Sequence, residues 1–151
     1  MIEFREIAHG SADYQAAIEL RERILRRPLG LAFEKTELEA EASDFHLGVF
    51  ENTGPVVLVG CLVLTPTNSE IAKMRQVAVA ETHRGRGIGQ ELVRHAERFA
   101  RDRGFHELVL HAREEVVQFY RRLDYEVTSE PFLEVTLSHR RMRKRISPVD
   151  V

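Results

Sequence analysis

The stretch Val77-Ala78-Val79-Ala80-Glu81-Thr82-His83-Arg84-Gly85-Arg86-Gly87-Ile88-Gly89-Gln90 decides the reading of this chain. A short apolar, partly β-branched segment runs into a turn rich in arginine and glycine. Directly after it, Ile88, Leu92, Val93, Ala96, Phe99 and Ala100 recur at helical spacing. The pattern predicts a strand, a glycine loop and a helix N-terminus in immediate succession. The first N–H groups of a helix have no partner within it and lie at the positive end of its dipole, so the loop is suited to an anion. Glycine lets the backbone approach a phosphate closely, and Arg84 and Arg86 add charge and fork-shaped donors.

The residues narrow the choice of anion. A Walker loop requires Lys-Ser/Thr after its last glycine, whereas Gly89 is followed by Gln90-Glu91. A dinucleotide loop reads G-x-G-x-x-G; Gly85 and Gly87 fit, but the last position is Gln90. The spacing Arg84-x-x-Gly87-x-Gly89 resembles the pyrophosphate loop of the GNAT superfamily of N-acetyltransferases, which bind acetyl-coenzyme A. Downstream, the apolar segment Glu107-Leu108-Val109-Leu110-His111-Ala112 precedes Gln118-Phe119-Tyr120-Arg121-Arg122-Leu123-Asp124-Tyr125. That pair resembles the second signature of the same family, a helix carrying Phe-Tyr followed by a turn. Two positions depart from the family pattern. Asp124 replaces the turn glycine, and Asp tolerates left-handed backbone better than most residues. Arg113 stands roughly where the family often has Asn. The flanks Leu20 to Gly30, and Pro131-Phe132-Leu133-Glu134 with His139 and Met142, resemble the ElaA-like branch of small bacterial members.

The resemblance implies an α/β fold of the acyl-CoA N-acyltransferase type: a central mixed twisted sheet of about seven strands, helices on both faces, residues 1–151 as a single domain. It implies acetyl-CoA as co-substrate and direct acetyl transfer to a primary amine on a small molecule or peptide. The cofactor would be held by Arg84, Gly85, Arg86, Gly87, Ile88, Gly89 and Gln90 at its pyrophosphate. Val77, Ala78 and Val79 would hold its pantetheine arm, with Arg113 and Phe119 alongside. Tyr120 is the family-matched general acid; a phenol has an ordinary pKa near 10 and is protonated at neutral pH. No obvious base precedes the loop at Lys73, Arg75 or Gln76. His111, Glu134 and His139 are the candidates, and Arg75 and His139 are assigned to the acceptor. The competing reading is a non-catalytic acetyl-CoA-binding module that regulates a partner protein.

Composition bounds these expectations. With 151 residues, 43% hydrophobic and 30% charged, the chain fits one ordinary globular domain. A net charge of −2 implies neither an acidic nor a basic partner. The run Val56 to Leu64 is too short for a membrane span, and the N-terminus alternates as a strand rather than a signal peptide. The basic run Arg140, Arg141, Arg143, Lys144, Arg145 lacks interleaved aromatics and reads as the polar face of a strand, not a nucleic-acid surface. The seven histidines show no metal-ligand spacing, so no metal is expected. Cys61, the single cysteine, lies in an apolar run, which suits a buried thiol and a reducing cytoplasm. β-edges near the C-terminus are compatible with a homodimer.

Periodicity places strands at 2–7, 45–51, 56–64, 71–80, 107–112, 125–128 and 133–145. Helices fall at 13–26 (ended by Pro28), 88–103 (closed by Gly104) and 114–123, with a helical turn near 36–42. Asn52 to Pro55 marks a hairpin, and Arg21, Arg23, Arg26 and Arg27 read mostly as a solvated helix face.

Overall fold

A computed structural model describes residues 1–146. Their contacts group into two compact units. The first combines Met1–Thr65 with Gln76–Ala96; the second combines Pro66–Arg75 with the chain from Glu97 onward.

In the first unit β1 (Ile2–Ile7) pairs antiparallel with β2 (Phe45–Asn52), from Ile2↔Glu51 to Ile7↔His46. β2 pairs in turn with β3 (Val56–Pro66) across the predicted Asn52–Pro55 turn, with a register shift between Val49 and Phe50. Ser11 caps α1 (Ala12–Arg21) by accepting the Tyr14 N–H at 3.1 Å. The sequence predicts one helix to Arg26; instead α1 gives way to a π-helical turn, Glu22–Arg26, then a 3₁₀ turn containing Pro28. Proline has no N–H for the ladder, and Gly30 at φ +71° ends the run. A short α2 (Lys35–Ala40) occupies the expected helical turn. Gly60 of β3 lies against the Ala78 carbonyl and the side chains of Leu92 and Ile88, where a Cβ would come within 3.4 Å of that carbonyl. These neighbours come from β4 (Ile71–Val79) and α3 (Ile88–Asp102).

In the second unit the first residues of β4 pair parallel with β5 (Glu107–Arg113), from Ile71↔Glu107 to Met74↔Leu110. β5 pairs antiparallel with β8 (Leu137–Arg145), from Glu107↔Arg145 to Arg113↔His139. α3 closes as predicted: Gly104 has φ +89°, its N–H reaches the Arg101 carbonyl at 3.0 Å and the Phe105 N–H reaches Ala100 at 3.1 Å. The same two-bond closure ends α4 (Val117–Arg121), which a 3₁₀ turn precedes. Here Asp124 takes the left-handed position at φ +72°, as expected of it. Tyr125 N–H bonds the Tyr120 carbonyl at 3.0 Å. β6 is only Glu126–Val127 and pairs with β8.

The expected strand 133–145 is two strands. β7 (Phe132–Glu134) folds back on β8, with Glu134↔Leu137 closing a two-residue turn. Val135 and Thr136 carry it at φ +50° and +63°. Neither residue is a usual occupant of a turn with two positive φ values, which favours Asn, Asp and Gly, so composition hid the hairpin. Among the described residues there are therefore eight strands, not about seven.

Candidate functional site

Two polar constellations stand out, one in each unit. In the first, β4 leaves regular extension at Gln76 (φ +56°), then presents Val77 and Val79 half-buried and Ala78 buried. A 3₁₀ turn, Glu81–His83, leads to Arg84 in extended backbone, then Gly85 at φ +78° and Gly87 at φ +76°. An added Cβ at either glycine meets nothing within 4 Å, so backbone conformation rather than crowding demands glycine. The Glu91 N–H to Gly87 carbonyl bond, 3.0 Å, opens the helical ladder. It leaves the N–H groups of Ile88, Gly89 and Gln90 outside that ladder. Arg84 and Arg86 are exposed beside them. The Glu51 carboxylate on β2 steadies the loop, accepting from Arg86 Nη2 at 3.1 Å and pairing with His83 Nε2 at 2.9 Å. The His83 hydrogen bond, then that of Arg86, hold Glu51 below its ordinary pKa.

In the second unit β5, β7 and β8 bring together residues that stand far apart in the sequence. His111 Nδ1 lies 2.9 Å from Glu134 Oε1 and 3.2 Å from Lys73 Nζ. His139 Nε2 is 3.7 Å from Glu134 Oε2, while its Nδ1–H donates to the Leu137 carbonyl at 2.8 Å. Phe132 sets its ring edge-on to His111, centroids 5.0 Å apart, and stacks against His139. Burial alone would raise the Glu134 carboxyl, but the His111 hydrogen bond and the charges of His111, Lys73 and His139 outweigh it and hold it low. Burial lowers the Lys73 ammonium; Glu134 opposes that shift, and Arg75 and Arg141 reinforce it. The three candidate bases of the sequence are thus one cluster, to which the structure adds Lys73 and Phe132. No local signal marks those two, because only strand pairing makes them neighbours.

Tyr120, also in the second unit, is buried between Phe119 and Tyr125, with edge-on ring centroids at 5.0 and 5.7 Å. Burial pushes its phenol above the ordinary value, so it stays protonated. Tyr125 in turn donates to the buried Glu97 carboxylate at 2.9 Å, which also takes Lys144 Nζ at 3.1 Å. This anchor fixes the turn that follows Tyr120.

Residues 12–125 match the model of the acetyltransferase (GNAT) family. This chain belongs to that family. Among its relatives is the uncharacterised N-acetyltransferase YjcF of Bacillus subtilis, 26% identical over 139 residues, covering 91% of this chain and 96% of YjcF. The fold is shared with Escherichia coli ElaA, TM-score 0.79 and 19% identity over 96% of this chain and all of that one. It is shared too with a GNAT family acetyltransferase from Elizabethkingia anophelis, solved with acetyl-CoA bound. There the TM-score is 0.73 and identity 18% over 95% and 97% of the two chains. The protein is an acyltransferase of the GNAT family with the mixed α/β fold expected of it.

Not every polar residue of this GNAT chain serves chemistry. Arg21, read from the sequence as part of a solvated face, is 1% exposed. Its guanidinium grips Glu41 in bidentate fashion at 2.8 and 2.6 Å, and Tyr14 donates to the same carboxylate at 2.8 Å. His46 Nε2–H donates to the Glu41 carbonyl at 2.9 Å, and burial lowers its pKa. Glu41 lies 20 residues from Arg21, beyond the reach of local spacing, so its role was not visible. Cys61 is buried as expected, and desolvation pushes its thiol up to about 12. Arg75 and Arg113 are half-buried, and each has a partner in the fold. Among the described residues no group of ligating side chains is arranged to hold a metal, and no helix is long and apolar enough to cross a membrane.

Proposed function

We propose that this acyltransferase takes acetyl-CoA and transfers its acetyl group directly to a primary amine of a small molecule or peptide. The observation that carries the reading is the loop Arg84–Gln90. Two glycines forced to positive φ lead into three N–H groups outside the helical ladder, flanked by two exposed arginines. Such a cradle suits a pyrophosphate. In this reading Val77, Ala78 and Val79 offer backbone to the pantetheine arm, and Arg113 and Phe119 contact the cofactor. Arg75 and His139 serve the acceptor, and His111 and Glu134 supply the basic side of the reaction. The amine attacks the thioester carbonyl, the C–N bond forms, the C–S bond breaks, and Tyr120 protonates the departing thiolate. One protein domain, residues 1–151, performs both tasks.

The test is an amine screen with acetyl-CoA, following thiol release and the acetylated product by mass spectrometry. Tyr120→Phe is expected to lower kcat about 100-fold or more, the usual range for a lost acid, with acetyl-CoA affinity unchanged. Unchanged kcat at saturation would remove Tyr120 from the mechanism. Acetyl-CoA binding with no transfer to any amine would favour the regulatory module instead.

A further inference from the structure

The imidazole of His111 has one atom, Nδ1, within hydrogen-bond reach of two groups of opposite character, Glu134 Oε1 at 2.9 Å and Lys73 Nζ at 3.2 Å. Nδ1 can either carry a proton and donate or present a lone pair and accept. A carboxylate only accepts and an ammonium only donates, so both cannot be satisfied at once. The shorter contact is the one to the carboxylate, and a charge-assisted N–H···O⁻ bond is the stronger of the two. Lys73 then stands beside the pair as a neighbouring positive charge. With Nδ1–H committed to Glu134, the lone pair of neutral His111 is on Nε2, the opposite side of the ring. Phe132 holds the ring plane edge-on. His139 cannot substitute, because it is 4% exposed and its Nε2 faces Glu134 Oε2 at 3.7 Å.

Resting on the N-acetyltransferase reading above, we infer that His111 is the general base through Nε2 and that Glu134 is the positioning residue fixing its tautomer. The acceptor ammonium gives one proton to Nε2 and becomes the nucleophile. Its nitrogen bonds to the acetyl carbon as the C–S bond breaks. The imidazolium gives its proton to water, Tyr120 protonates the departing thiolate, and the second N–H proton passes from the nitrogen through solvent to restore the Tyr120 phenol. The charged and titratable groups around the ring come from each neighbouring element: Lys73 and Arg75 on β4, Glu134 on β7, His139 and Arg141 on β8. A carboxylate stabilises imidazolium and an ammonium destabilises it, so the two neighbours push in opposite directions.

Ring ¹⁵N NMR of the wild-type protein, which needs no acceptor, should show neutral His111 protonated at Nδ1; a ring protonated at Nε2 would overturn the inference. In rate measurements with an amine found by the screen, His111→Ala should lose about 100-fold or more in kcat while binding acetyl-CoA normally. Glu134→Gln should lower kcat and move the acid limb of the pH profile to lower pH. Lys73→Met should keep most of kcat and move that limb to higher pH. Opposite displacements are not produced by a loss of packing. If Lys73→Met abolished turnover as His111→Ala does, or if both limbs moved the same way, the assignment would be wrong. Turnover by wild type that survives in His111→Ala overturns this inference alone. Failure of the wild type to bind acetyl-CoA overturns the underlying reading.

Discussion

The glycine loop of the first unit and the His111 cluster of the second are built on opposite principles. The loop is made of backbone: it presents N–H donors at a helix start, and consecutive residues place them. The cluster is made of side chains from positions 73, 111, 132, 134 and 139, which only the pairing of β4, β5, β7 and β8 brings together. A backbone site is written in adjacent letters, because positive φ calls for glycine and an anion calls for arginine. A side-chain site assembled by topology has no such local script. The reader of a sequence therefore recovers the first and meets only fragments of the second.

The contrast sharpens against a third constellation of the second kind, Arg21–Glu41–Tyr14. It too joins remote side chains, but it is sealed from water, whereas His111 and Glu134 are partly exposed. Sealing turns such a group into a structural fixture. Arg21→Met should cost the largest amount, about 3–5 kcal/mol at neutral pH by denaturant unfolding, because it strands a buried carboxylate. The pH dependence follows from the sign of the shift. Burial would raise the Glu41 carboxyl, but Arg21, aided by Tyr14, lowers it below the ordinary 4.5. In wild type its stabilisation is complete above that value and fades as pH falls through the lowered one. In Arg21→Met the carboxyl is raised instead, so the deficit should shrink on acidification. Glu134→Gln, by contrast, should leave stability nearly untouched while changing rate. Equal effects on stability would erase the distinction between fixture and site.

A smaller effect tests why the cluster was hard to read. Val135 and Thr136 hold positive φ directly after Glu134. β-branched residues there cost on the order of 1–3 kcal/mol each. Val135→Asn with Thr136→Gly should raise stability by about 1–3 kcal/mol by thermal or denaturant unfolding. No gain would mean that the turn relaxes without strain.

Most of the fold was legible. β1 matches its predicted span, the 52–55 hairpin and the Gly104 helix stop were visible from turn residues, and Asp124 adopts the left-handed backbone expected of it. The losses have physical reasons. The 133–145 hairpin lacks its customary turn residues. The π turn Glu22–Arg26 buries none of its residues, so apolar periodicity does not mark it. The burial of Arg21 depends on a carboxylate supplied 20 residues later. The strand, glycine loop and helix start at Val77 to Gln90 were visible in adjacent residues, and His111, Glu134 and His139 were named but not joined.

The central claim is that the Arg84–Gln90 backbone binds acetyl-CoA by its pyrophosphate. Calorimetric titration tests it most directly, comparing acetyl-CoA with S-acetylpantetheine, which lacks the pyrophosphate, on wild type and Arg84→Glu. A Gly87 variant is the poorer choice, because φ +76° would confound backbone strain with lost binding. Wild type should bind acetyl-CoA far more tightly than the truncated thioester. Rising salt should weaken that binding, and Arg84→Glu should lose about 10-fold or more in affinity with its fold intact. Equal affinity for the two thioesters, or no binding of acetyl-CoA by the folded wild type, would contradict that claim.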